Sequence, residues 1–176
     1  MLTKEDILKK YSESSNNFLI IQELTGERAR IHLKNVIGSS ISFIISAAFQ
    51  HLYKTNLIVA NDKESAAYIL NDLENILGQE NVLFFPASYK MPYEHESIDN
   101  ANILLRAEVL NKINTGKKNS CIVTYPEALT EKVVTKSHLT KNTLELKQGL
   151  KISIDFIIDV LIEYDFERVD SVSYTH

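Results

Sequence analysis

An α/β fold built on a parallel sheet is what this sequence predicts, and three observations predict it. Leu57 to Ala60, Val82 to Phe85 and Cys121 to Thr124 are short continuous apolar runs, as expected of strands buried on both faces. Helical patterns follow them: Asn61-Asp62 caps a helix to about Leu77, a second helix runs from about Asn100 to Ile113 and closes at Gly116, and Pro126 opens a third through Val134. Strand, turn and helix units repeated at this length imply crossover connections, with helices covering both faces of the sheet.

The other elements are read in chain order. Ile7 to Tyr11 forms a short N-terminal helix and Ser12 to Asn17 a polar connector. Arg30 to Val36 alternates as a strand does, and Gly38-Ser39-Ser40 turns the chain into an apolar helix, Ile41 to Tyr53. Ser88 to Ile98 is irregular, with Pro92 amid tyrosines and acids. Past Val134 the character changes. Lys136 to Lys141 is polar, Leu144 and Leu146 suggest an edge strand, Ile152 to Tyr164 is an amphipathic helix, and Arg168 to Val172 a further strand. Those last elements are too few to bury a core of their own. The expected organisation is an N-terminal helix and connector over 1–17, an α/β domain over 18–134, and the truncated start of a small α+β subdomain over 135–176.

The composition bounds the function. Of 176 residues, 44% are hydrophobic and 24% charged, as in an ordinary globular chain and unlike a disordered or fibrous one. A formal charge of −4 gives no global attraction to nucleic-acid phosphates. Locally the charge is uneven: seven lysines face three glutamates between Lys117 and Lys151, whereas six acids accompany the single Arg168 from Ile152 to His176. The lone Cys121 has no partner for an internal disulfide and sits in an apolar run, where an inert core thiol is expected. No apolar stretch is long enough to span a bilayer and no apolar leader opens the chain, so a cytoplasmic location without membrane contact is expected.

The informative segment is Asn35-Val36-Ile37-Gly38-Ser39-Ser40-Ile41-Ser42, read as lying between a strand and a helix where a P-loop would lie. A working Walker A loop has glycine at its first and sixth positions, then lysine and a hydroxyl residue. Here Asn35, Ser40, Ile41 and Ser42 hold those places, so only Ser42 keeps its chemistry. Ile41 sets an apolar side chain where an ammonium would meet phosphate. The loop reads as a degenerate phosphate site or as a plain Gly-Ser turn. Asp62, ending an apolar strand, fits an acidic metal motif or a helix cap.

Other candidates are weak. Glu94, His95, Glu96 and Asp99 crowd one loop, but consecutive extended residues point apart, so a solvated loop is the expectation. Tyr89 and Tyr93 suit packing of that loop or stacking on bases. His32, His51 and His138 lack ligand spacing, and no serine carries a nucleophile signature. Arg106 reads as a surface arginine or as an anchor for the Tyr93 to Ser97 turn.

Three segments together resemble the bacterial transcription-repair coupling factors. Glu23-Leu24-Thr25-Gly26 precedes the degenerate loop. Phe85-Pro86 is followed by Met91-Pro92-Tyr93-Glu94, Ser97 and Arg106. Phe166-Glu167-Arg168-Val169-Asp170-Ser171-Val172 matches the family's aromatic-x-R-V-D-x-V strand. The resemblance covers about Glu23 to Val172 in the family's order. The sequence departs from it near Ser88 and Tyr89, where the family often has Trp and Glu, near Asp165, where it has glycine, and after Val172, where the family's continuation is absent.

This resemblance implies the N-terminal region of such a factor, which is similar to excinuclease B, the damage-verifying partner of excinuclease A. It would be a P-loop-like domain that does no catalysis and needs no cofactor or metal. Motif residues Pro92, Tyr93, Glu94, Ser97, Arg106, Arg168 and Asp170 are then structural. The implied role is docking of excinuclease A and restraint of the motor in transcription-coupled nucleotide excision repair. Docking by this stretch alone would be weak, and DNA and RNA polymerase would be met only through the other domains of the parent ATP-dependent translocase. The rival readings are an ATP-binding fragment of excinuclease B or a helicase, and an α/β interaction domain unrelated to repair.

Overall fold

The structure is a computed structural model that describes residues 3–26, 28–89, 99–116, 119–141, 144 and 146–163. By its contacts the chain divides into two compact units, Met1–Val133 and Val134–His176.

The first unit begins with two helices, α1 (Lys4–Glu13) and α2 (Ser15–Thr25). Thr3 and Asp6 form a reciprocal capping box at the start of α1. The predicted connector Ser12 to Asn17 is therefore corrected: Ser14 ends α1 and caps α2, its Oγ accepting from the Asn17 N–H at 3.3 Å. The polar residues that suggest a loop are cap chemistry at a helical corner.

The predicted strand Arg30 to Val36 is also corrected, since these residues join no sheet. Alternation records which side chains alternate toward an apolar neighbour, but a strand also needs a partner to take its backbone groups, and no sequence period supplies one. Helix α3 (Ser40–Leu52) follows and ends at Tyr53, whose φ of 49° is left-handed.

Three parallel strands form the sheet in the order β1 (Asn56–Val59), β3 (Cys121–Thr124), β2 (Val82–Phe85). Between β1 and β2 run α4 (Lys63–Leu77) and a 3₁₀ turn at Gln79–Asn81; α5 (Asn100–Thr115) leads from β2 to β3. The first crossover steps over β3 and the second steps back. Right-handed connections running in opposite directions put α4 and α5 on opposite faces. All four residues of β3 are buried, as its central place requires.

Leu57 and Val59 share a face with Ile122, Leu83 and Phe85, the face that α5 covers over β2. On β1 they are 58% and 49% exposed, because α5 does not reach that edge. The core gathers Leu73 of α4, Val109 of α5 and the strand residues Val82, Phe85, Cys121 and Val123.

Helix α6 (Pro126–Thr130) stops short of the predicted Val134, because Glu131 leaves the helix toward Ser88 and Arg106. In the second unit, α7 (Lys136–Lys141) and α8 (Ile154–Glu163) are the described helices. Leu144 and Leu146, where an edge strand is expected, join no ladder among the described residues. Arg168 to Val172 falls outside the described residues.

Candidate functional site

The degenerate loop is held by two left-handed residues. Asn35 has φ 59°, a conformation asparagine tolerates, and Gly38 has φ 56°. The Ser40 N–H donates to the Ile37 carbonyl at 3.3 Å, closing the turn. Ser39 stands at the N-cap of α3 without a side-chain cap bond. Ile41, in the lysine place, is half-buried. Ser42, in the place of the magnesium-binding hydroxyl, is 1% exposed and donates to the Asp72 carboxylate of α4 at 3.1 Å. Its oxygen ties two helices together instead of facing a ligand.

Asp62 acts as the N-cap of α4, accepting from the Ser65 N–H at 2.7 Å, and that bond holds its carboxyl below the usual range. Among the described residues no group of three metal-ligating side chains converges.

Among the described residues a connected polar cluster lies at the carboxyl ends of β2 and β3, the side of a parallel sheet where α/β proteins place their sites. Arg106 of α5 is 6% exposed. Its Nη1 donates to the carbonyls of Pro86 at 2.7 Å and Ala128 at 3.0 Å, and lies 3.5 Å from Glu131. The guanidinium sits 4.1 Å above the Phe85 ring. Burial pulls its pKa down from the usual value, and the Glu131 charge opposes that pull. Glu131 also accepts from the backbone N–H of Ser88 at 2.9 Å and from its hydroxyl at 2.6 Å. The Tyr125 hydroxyl accepts from the Ala87 N–H at 2.9 Å, and Asn102 donates to the Ala87 carbonyl at 2.8 Å. Every polar group of Pro86-Ala87-Ser88 named here is thus held by a side chain from α5 or the α6 region.

Of the sequence-predicted residues, the structure brings Asn35, Gly38, Ser39, Ser40, Ile41 and Ser42 into one turn and sets Arg106 against the Pro86 carbonyl at the end of β2. Pro92, Tyr93, Glu94 and Ser97, with His95 and Glu96, lie outside the described residues, as do Arg168 and Asp170. Asp99 caps α5, accepting from the Ala101 N–H. His51 of α3 bonds the Ala47 carbonyl at 2.8 Å. Sequence reasoning missed Tyr125 and Glu131. A buried arginine demands an anion nearby, but neither period nor motif says which of many acids supplies it.

This geometry defines an α/β module with a parallel sheet, whose Asn35 to Ser42 turn follows no strand of that sheet and has the Ser42 hydroxyl turned inward, and whose sheet end is closed by an ion-paired arginine. Over 127 residues, 72% of the chain, it is 31% identical to the transcription-repair-coupling factor of Rickettsia bellii. Similar figures hold for those of Rickettsia conorii, 31% over 129 residues, and Rickettsia typhi, 28% over 126. The chain is a transcription-repair-coupling-factor-like region. It spans 11% of the length of these relatives. No family model matches the chain and no solved structure matches it.

Proposed function

We propose that the chain is the N-terminal, excinuclease-B-like module of a transcription-repair coupling factor, acting without catalysis of its own. Its work in transcription-coupled nucleotide excision repair is to dock excinuclease A and to restrain the parent's motor. The observation that carries this reading is the inward bond of Ser42 to Asp72 beside Ile41. The two places that would hold magnesium and the β/γ-phosphates are taken by a helix-tying hydroxyl and an alkyl group, so nothing at the loop offers a nucleotide the contacts it needs. A chain kept for chemistry at this loop would not spend its hydroxyl on packing.

Docking is assigned to the region from Val134 onward, because in the family that this chain resembles the partner's surface belongs to the second subdomain, with its arginines after the motif that Phe166 to Val172 resembles. Arginines of that kind give planar, bidentate contacts that dominate many interfaces. In a pull-down of excinuclease A, the 176-residue chain retains little, while a polypeptide carried about 60 residues further along the gene, a common subdomain length, retains it well. Equal capture by both lengths would move the docking surface into the first unit.

A further inference from the structure

The N-terminal helices and the extended segment before the degenerate loop enclose a cleft of about 530 Å³. Neither the sheet nor the Arg106 cluster takes part in it. Lys10 and Tyr11 of α1 form one wall, Ile20 of α2 another, and His32, Lys34 and Val36 of the extended segment a third. The loop residues Ser40 to Ser42 do not line it.

Two features mark it as a site. First, its charge is one-sided: among the described residues Lys10 and Lys34 line it and no aspartate or glutamate does. Among the described residues, the side chains of Lys10, His32 and Lys34 have neither an ion pair nor a hydrogen-bond partner. The neighbouring Lys9, by contrast, pairs with Glu13 at 3.8 Å. Second, its apolar wall is fixed, since the Tyr11 ring stacks on Phe43 of α3 with centroids 5.1 Å apart. Lysines from separate elements, Lys10 of α1 and Lys34 of the extended segment, therefore line one cleft together with apolar side chains, in a volume inside the roughly 300–1,000 Å³ range of small-molecule sites.

We propose that this cleft binds a small phosphomonoester with an apolar body. A phosphate dianion offers three equivalent oxygens, enough to be met from both walls at once, and lysine ammonium groups recognise it as point charges. The apolar body lies against Tyr11, Ile20 and Val36, where burial adds affinity that inorganic phosphate cannot gain.

Calorimetric titration of the 176-residue chain with phenyl phosphate, in the absence of magnesium, tests this. Saturable binding is expected, with inorganic phosphate and benzoate each at least about fivefold weaker. Lys10→Ala with Lys34→Ala should weaken phenyl phosphate about tenfold. Both lysines are exposed, so the variant should keep the parent's circular dichroism and melting temperature. Absence of saturable binding overturns the proposal. So does binding that the double variant leaves unchanged, and benzoate binding as tightly as phenyl phosphate overturns the assignment to phosphate.

Discussion

Arg106 is costly to bury, and the groups around its Nη1 and guanidinium face offset part of that cost, while its Nη2 has no hydrogen-bond partner among the described residues. Two carbonyls, a carboxylate and an aromatic face meet its guanidinium, and the carboxylate is in turn occupied by Ser88. Breaking such a pair from one side leaves the other charge stranded. Arg106→Ala should lower unfolding free energy by about 3–5 kcal/mol, because Glu131 then stays largely buried without a cation. Adding Glu131→Gln removes the stranded charge while keeping an oxygen that can accept from Ser88, so the double variant should recover a large share of the loss. Urea denaturation of the four proteins of this cycle measures the coupling. Simple addition of the two losses would show that Arg106 and Glu131 act separately.

At the scale of the element, β3 is the strand most exposed to alkali. Burial pushes the Cys121 thiol at its start up to about 12, against a smaller opposing pull from the Asn56 side chain. Burial likewise raises Tyr125 at its end, with the Ala87 N–H opposing. Both groups are neutral in the folded chain and ionise more readily when unfolded. The stability they contribute is fully present below pH 9.0, the ordinary thiol value, and is lost as pH rises from there toward 12. Thermal melts across that range should show a fall that Cys121→Ala makes shallower. The same strand shows what was legible in the sequence. Cys121 to Thr124 and Val82 to Phe85 are visible as apolar runs because parallel strands are buried on both faces. Their helices are visible through caps such as Asp62 and Gly116. Arg30 to Val36 misled because alternation does not name a pairing partner, and Ser12 to Asn17 because cap residues and loop residues are the same amino acids. At the candidate site the sequence shows directly that Ile41, and no lysine, stands at the start of the helix after the Gly38 turn. The Ser42–Asp72 and Arg106–Glu131 bonds could not be read there, since 30 and 25 positions separate the partners and only the folded topology brings them together.

For the whole molecule, a sheet that ends at a partly exposed β1 and a second unit whose α8 exposes Ile154, Phe156 and Ile162 leave apolar surface that suits assembly better than solvent. The loop contributes a turn and a helix start, while the sheet end is filled by the protein's own arginine and glutamate. A module of this kind should be indifferent to nucleotide. Calorimetric titration of the chain with ATP and magnesium tests that most directly. No saturable, magnesium-dependent heat is expected at millimolar nucleotide, and Ile41→Lys alone should not create one, since Asn35 and Ser40 still lack the freedom of glycine. Micromolar, magnesium-dependent binding by the unaltered chain would contradict it, and would make the loop a working phosphate site.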